Sequence, residues 1–121
     1  VNELVETAYH LEDRVGVGLG PVVVNGLYEP IDGLDADPEE AAAAVGATLR
    51  PGEAEALAAA ASFRRDRMAL QSEQLERLAA ELPLPQLRLP FVFGAEVGPV
   101  ELEHLAERFL AGLEALPETP A

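Results

Sequence analysis

Three glycines, Gly16, Gly18 and Gly20, stand directly ahead of Pro21 and the valines Val22, Val23 and Val24. Glycine-rich loops beside strands hold phosphates when they run from a strand into a helix, whose first N–H groups then point at the anion. The order expected here is the reverse: helix, glycines, strand. Pro21 also falls where a G-x-G-x-x-G fingerprint needs its third glycine, and the chain contains no lysine for a Walker-type loop. The glycines therefore read as a helix-to-strand turn. The other end of the valine run holds more chemistry. Ligands of open α/β sheets sit beyond the carboxyl ends of the strands. Asn25 and Gly26 occupy that place for the first strand candidate, and Pro90, Phe91 and Val92 for the second. A carboxamide offers a donor and an acceptor together, which suits the edge of a purine, and Pro90 with the residues after it offers a flat apolar wall and backbone groups. Turn chemistry alone also accounts for an Asn at this position.

The remaining polar clusters have plainer readings. Asp32, Asp35, Asp37, Glu39 and Glu40 lack the glycine and the distal Glu of a calcium loop, and they read as capping and solvation of a helix start. The only basic cluster, Phe63-Arg64-Arg65-Asp66-Arg67, reads as an exposed face neutralised by acids at helical spacing. His10 and His104 have no companion ligands in sequence. No catalytic residue and no metal ligand is assigned. The absence of cysteine excludes disulfides, thiolate metal sites and a Cys nucleophile.

The elements that would position the strand ends follow from apolar spacing. A helix is expected over residues 3–14, with Leu4, Val5, Ala8, Leu11 and Val15 at helical intervals and Asn2 placed to cap. The valine run predicts a buried strand over about 22–25. Asp37-Pro38-Glu39-Glu40 has an N-cap, a proline at the first helical position and acids on the positive end of the dipole, which predicts a short helix ending near Gly46. A long helix over about 51–82 has Leu57, Ala61, Arg64, Met68, Gln71, Leu75, Leu78 and Leu82 on one seam. The seam favours packing on a sheet or on neighbouring helices over a coiled coil, because Arg64 and Gln71 interrupt it. A second strand is expected over about 86–89, closed by Pro90. A last helix opens at Pro99, with Leu102, Leu105, Ala106, Phe109 and Leu113 on one face. Two strands joined through a helix make a parallel pair. The fold class read from this order is α/β: a partial doubly wound domain, predominantly helical, with two short parallel strands and a long crossover helix; that the domain is of the P-loop type is what a family resemblance implies.

The chain has 121 residues, which suits a single domain, 1–121, with a flexible tail over 116–121. Its net charge is −14, and all eight basic residues are arginine. Such a surface repels nucleic acid and anionic lipid, and no stretch is apolar enough to insert in a bilayer. The chain begins at Val1 rather than Met, and it is expected either to have been processed or to be a piece of something longer.

Val22-Val23-Val24-Asn25, then a long helix, then the stretch from Leu87 to Glu107 containing Pro90 and Glu96-Val97-Gly98, resembles the C-terminal part of the anion-transporting ATPase family. These are the arsenite-pump and tail-anchored-protein-targeting ATPases, relatives of the nitrogenase iron protein and of the cell-division positioning ATPases. The resemblance implies that Asn25 reads the adenine, that Pro90, Phe91 and Val92 form the adjoining wall of the base site, and that the segment at Glu96-Val97-Gly98 covers it. It further implies a cytoplasmic parent that hydrolyses ATP with magnesium, works as a homo- or hetero-dimer, and serves an anion or a membrane-protein client. The family's phosphate loop and switch aspartates precede the part present here. This segment is thus expected to bind no Mg2+ and to hydrolyse nothing alone, and its first partner would be the N-terminal part of the same ATPase. The zinc-clamping Cys-x-x-Cys of the targeting members has no counterpart between Asn25 and the long helix. The alternative function is a small acidic helical protein–protein interaction module without enzymatic activity, docking its partner on the long helix.

Overall fold

The computed structural model describes residues 1–117. The protein is α/β and mostly helical, with four α-helices and two short parallel strands among the described residues. It divides into two compact units, one made of residues 1–27 with the chain from Ser72 onward, the other of Tyr28–Gln71.

In the first unit, α1 spans Asn2–His10 and continues as a wider π-helical turn over Leu11–Val15. Asn2 is the first helical residue and not the expected cap; its side-chain oxygen accepts from the Arg77 guanidinium instead. The π turn ends at Gly16, whose φ of 71° closes it in a left-handed residue. Strand β1 runs over Val22–Leu27 and β2 over Gln86–Pro90, and the two pair in parallel. Both outlast the strands expected from sequence. Pro90 does not close β2 from outside but is its last residue, opposite Leu27. A proline is tolerated there because each strand of a two-stranded sheet is an edge.

Helices lie on both faces of this pair. Val22 and Val24 of β1 pack on a small core of Ala8, from α1, and Leu78 and Leu82, from the end of the long helix. Val23 and Leu87 stand opposite each other in the ladder, and Leu87, only 2% exposed, packs under the last helix, α4, Pro99–Glu114. The fit is close: a Cβ added at Gly112 would lie 2.9 Å from Leu87 Cδ2. That approach decides which face of α4 is covered. The stripe facing inward is Leu105, Phe109, Gly112 and Leu116, whereas Leu102, expected inside, is 57% exposed and Leu113 40%. The expected face was turned because the sequence pattern counts leucines and gives no weight to a glycine that lets a leucine in. Of the expected tail, residues 118–121 lie outside the described residues.

In the second unit, α2 spans Pro38–Ala44 with Asp37 as N-cap, its carboxylate accepting from the N–H groups of Glu39 and Glu40 at 2.9 and 3.0 Å. The long helix α3 spans Glu53–Glu81, starting here and ending in the first unit. It begins two residues later than expected because Gly52 takes φ +85°. The Glu53 side chain accepts the Arg50 N–H at 2.7 Å, fixing the start. From Ala61 to Leu82 the expected seam is the less exposed face throughout; only Leu57, 50% exposed, departs from it.

Candidate functional site

The carboxyl ends of β1 and β2 lie side by side because the pair is parallel. Val24 stands opposite Arg88 and Leu27 opposite Pro90, so β1 advances three residues where β2 advances two. The extra residue makes a bulge at Asn25-Gly26, with Gly26 at φ +78°. Bulges bend a strand and re-aim a side chain. Asn25 is therefore not the tip of a straight strand, as the sequence suggested, but sits in an irregularity that leaves it exposed two residues short of the strand end. The ladder then resumes, and the Phe91 N–H donates to the Leu27 carbonyl at 2.8 Å.

The aromatic ring of Phe91 closes over the bulge. A Cβ added at Gly26 would lie 3.7 Å from Phe91 Cδ2, an ordinary contact distance. Phe91 in turn meets Phe93, with ring centroids 4.7 Å apart and planes inclined by 54°, a favourable tilted geometry. Phe91 is 43% exposed and Phe93 58%. Pro90 is buried and Val92 half-buried. The structure thus brings Asn25-Gly26 and Pro90-Phe91 to one end of the sheet. The open apolar surface there belongs to Phe91 and Phe93, while Pro90 lies beneath. Phe93 is not among the wall residues expected from sequence; the alternation Phe-Val-Phe, which points two rings the same way along an extended segment, is the signal that marks it.

Glu96-Val97-Gly98 runs into α4. Gly98 is the N-cap of that helix and its N–H donates to the Glu101 carboxylate at 3.0 Å, while Val97 is 57% exposed. The opening glycines make no cradle: a Cβ added at Gly18 or Gly20 would meet nothing within 4 Å.

Within the second unit, the seam's polar interruptions have a use that periodicity does not report. Gln71 Oε1 accepts the Tyr28 N–H at 2.8 Å, Arg64 donates to the Glu29 carbonyl at 2.8 Å, and the Arg64 guanidinium lies 5.2 Å from the centre of the Tyr28 ring. Arg65 reaches the Leu34 carbonyl and the Asp35 carboxylate. Arg64 and Arg65 thus reach a loop thirty or more residues away in sequence.

The bulge carries one amide side chain, and aromatic surface stands against it through Phe91 at Gly26 and Phe93 at Phe91. The arrangement does not suit a triphosphate, which needs cationic side chains or converging N–H groups at a helix start. Among the described residues no three His, Asp or Glu side chains converge as a metal site, and no helix is long and apolar enough to cross a membrane. No family model, no curated protein and no solved structure matches this chain.

Proposed function

We propose that this chain is the C-terminal portion of an ATPase of the anion-transporting type, and that it supplies the adenine-recognising side of the nucleotide site. The observation that carries the reading is the parallel pairing that sets Asn25-Gly26 beside Pro90-Phe91 at the carboxyl ends of two strands, the place where open α/β sheets take nucleotides. Asn25 would hydrogen-bond the base edge. Phe91 would lie against its face, with Pro90 and Val92 holding Phe91 in place from the strand end. The phosphates and magnesium belong to a part of the parent that supplies the phosphate loop. With no lysine of its own, this chain lacks the side chain that such a loop uses on the β- and γ-phosphates. When bound in the parent, ATP with Mg2+ would supply the phosphoryl chemistry; the residues here orient the base and shield it from water. The reading includes a cytoplasmic parent acting as a dimer.

The test is a fluorescence titration of the full chain with adenosine diphosphate carrying a ribose-linked fluorophore. Binding is expected to be weak, and Asn25→Ala should reduce it by about tenfold, the loss of one well-placed polar contact. Phe91→Ala should reduce it by a similar amount and Val100→Ala not at all. Equal binding by all four proteins would remove the base site. Sustained magnesium-dependent ATP turnover by the chain alone, abolished in Asn25→Ala, would instead refute the assignment as an incomplete site.

A further inference from the structure

Residues 28–71 contain no buried side chain, yet they carry a mostly apolar groove of about 550 Å³. Its floor and walls come from both helices of this unit and the turn before α2: Leu34, Ala42, Val45, Leu49, Leu57 and Ala61. Val45 is 79% exposed and Leu57 50%. Leu57 is also the one member of the α3 seam that its own chain leaves uncovered. From Leu57 to Arg64, α3 offers two turns, about 10 Å of length, close to the diameter of a helix.

The charge around the groove has one sign in excess. The segment holds nine carboxylates against four arginines. Two of those arginines are paired with carboxylates of the segment, Arg50 with Glu53 and Arg65 with Asp35, while Arg64 keeps its charge in the groove lining and hydrogen-bonds the Glu29 carbonyl; the segment as a whole stays acidic. Asp32 lies in the groove lining, and Asp37, Glu39 and Glu40 gather at the first turn of α2 beside it. A second copy of the chain would bring the same acidic surplus to the contact, and an anionic membrane would do likewise; both meet like-charge repulsion. A cationic partner meets attraction.

We infer that this groove docks an amphipathic helical segment of a partner protein, its apolar face laid on Leu57 and Val45 and its basic flanks set against Asp32 and the acids at the start of α2. Helix-in-groove recognition places partner anchors at i, i+3 or i+4, and i+7, and the length of α3 that lines the groove gives room for about two such anchors. The inference stands independently of the base site, because every residue in it belongs to the other unit.

The experiment uses the full chain and a labelled synthetic peptide of about 14 residues, leucines on one helical face and lysines on the other, followed by fluorescence anisotropy. Binding in the micromolar range is expected, weakening as salt is raised. Leu57→Glu and, separately, Val45→Asp should each weaken it by about tenfold or more, with the circular dichroism spectrum unchanged, since both sites are exposed. Val100→Glu, on α4, should leave it unaltered. A scrambled peptide of equal composition that binds as tightly would show mere charge attraction and overturn the proposal. So would peptide binding indifferent to Leu57→Glu and Val45→Asp, or a Leu57-dependent dimer in sedimentation without peptide.

Discussion

At Gly26 the backbone adopts φ +78° in the middle of a strand, with Phe91 at contact distance from the position of a missing Cβ. An alanine there would fit the space but not the backbone, since a left-handed conformation costs an L-residue about 1–2 kcal/mol. Urea unfolding of Gly26→Ala should show a loss of about 1 kcal/mol, and Gly26→Asn a smaller one, because Asn visits that region more readily. Gly18→Ala, with open space around it and no positive φ, should be neutral within about 0.5 kcal/mol. If the two alanine variants unfold alike, the bulge does not carry the conformational demand assigned to it. Residue types told part of this in advance. Pro90 and Phe91 were legible at the end of the second strand from the prolines, whereas Asn25, read as the tip of the first, lies two residues inside it. The bulge was not, because it depends on the register with a strand some sixty residues away, and local spacing holds no record of register.

The elements were more legible than their faces. Helix starts were visible where a side chain does the capping: Asp37 before Pro38 is the clear instance. At α3 the device is different, since Glu53 reaches back to the N–H and then the guanidinium of Arg50. These two contacts, the backbone one first, hold the Glu53 carboxyl below its ordinary pKa. A depressed carboxyl stabilises the fold above its unfolded pKa, and that contribution disappears as pH falls through the folded one. An NMR titration should therefore find Glu53 protonating below the ordinary glutamate range, and Arg50→Ala should raise its midpoint toward that range. An unchanged midpoint in that variant would mean the contact is not made in solution. For α4 the sequence pattern identified the helix and placed Leu105 and Phe109 on its covered side, but not Leu102, Ala106 or Leu113, because it takes no account of the close approach at Gly112. The seam of α3 was read correctly in position but not in purpose. Arg64 and Gln71 look like flaws in an apolar stripe until the backbone of residues 28 and 29 is seen to need partners.

Across the molecule, each unit answers a different question. The first has the two strand ends and a small core of Ala8, Leu78 and Leu82; the second has no buried side chain and an acidic groove. The base site and the groove can accordingly be damaged one at a time. The sequence conveyed the α/β order and the acidic balance, but not the division into two units. That division arises because the connection between the strands, residues 28–85, is long enough to fold back on itself, as Arg64, Arg65 and Gln71 do on the loop before α2.

A two-stranded parallel sheet has no interior strand. Each of β1 and β2 has an outer edge with no further strand paired to it among the described residues, and such an edge is a template for adding strands from other molecules. At neutral pH a net charge of −14 keeps copies apart. Acidification toward about pH 4, where Asp and Glu titrate, removes that barrier while leaving the valines and the open ladder in place. Incubation there should yield thioflavin-positive fibrils with the 4.7–4.8 Å repeat of stacked strands, and Val23→Lys, set in the middle of β1, should delay them. The same charge that selects a cationic partner would then also be what keeps this chain from polymerising with itself.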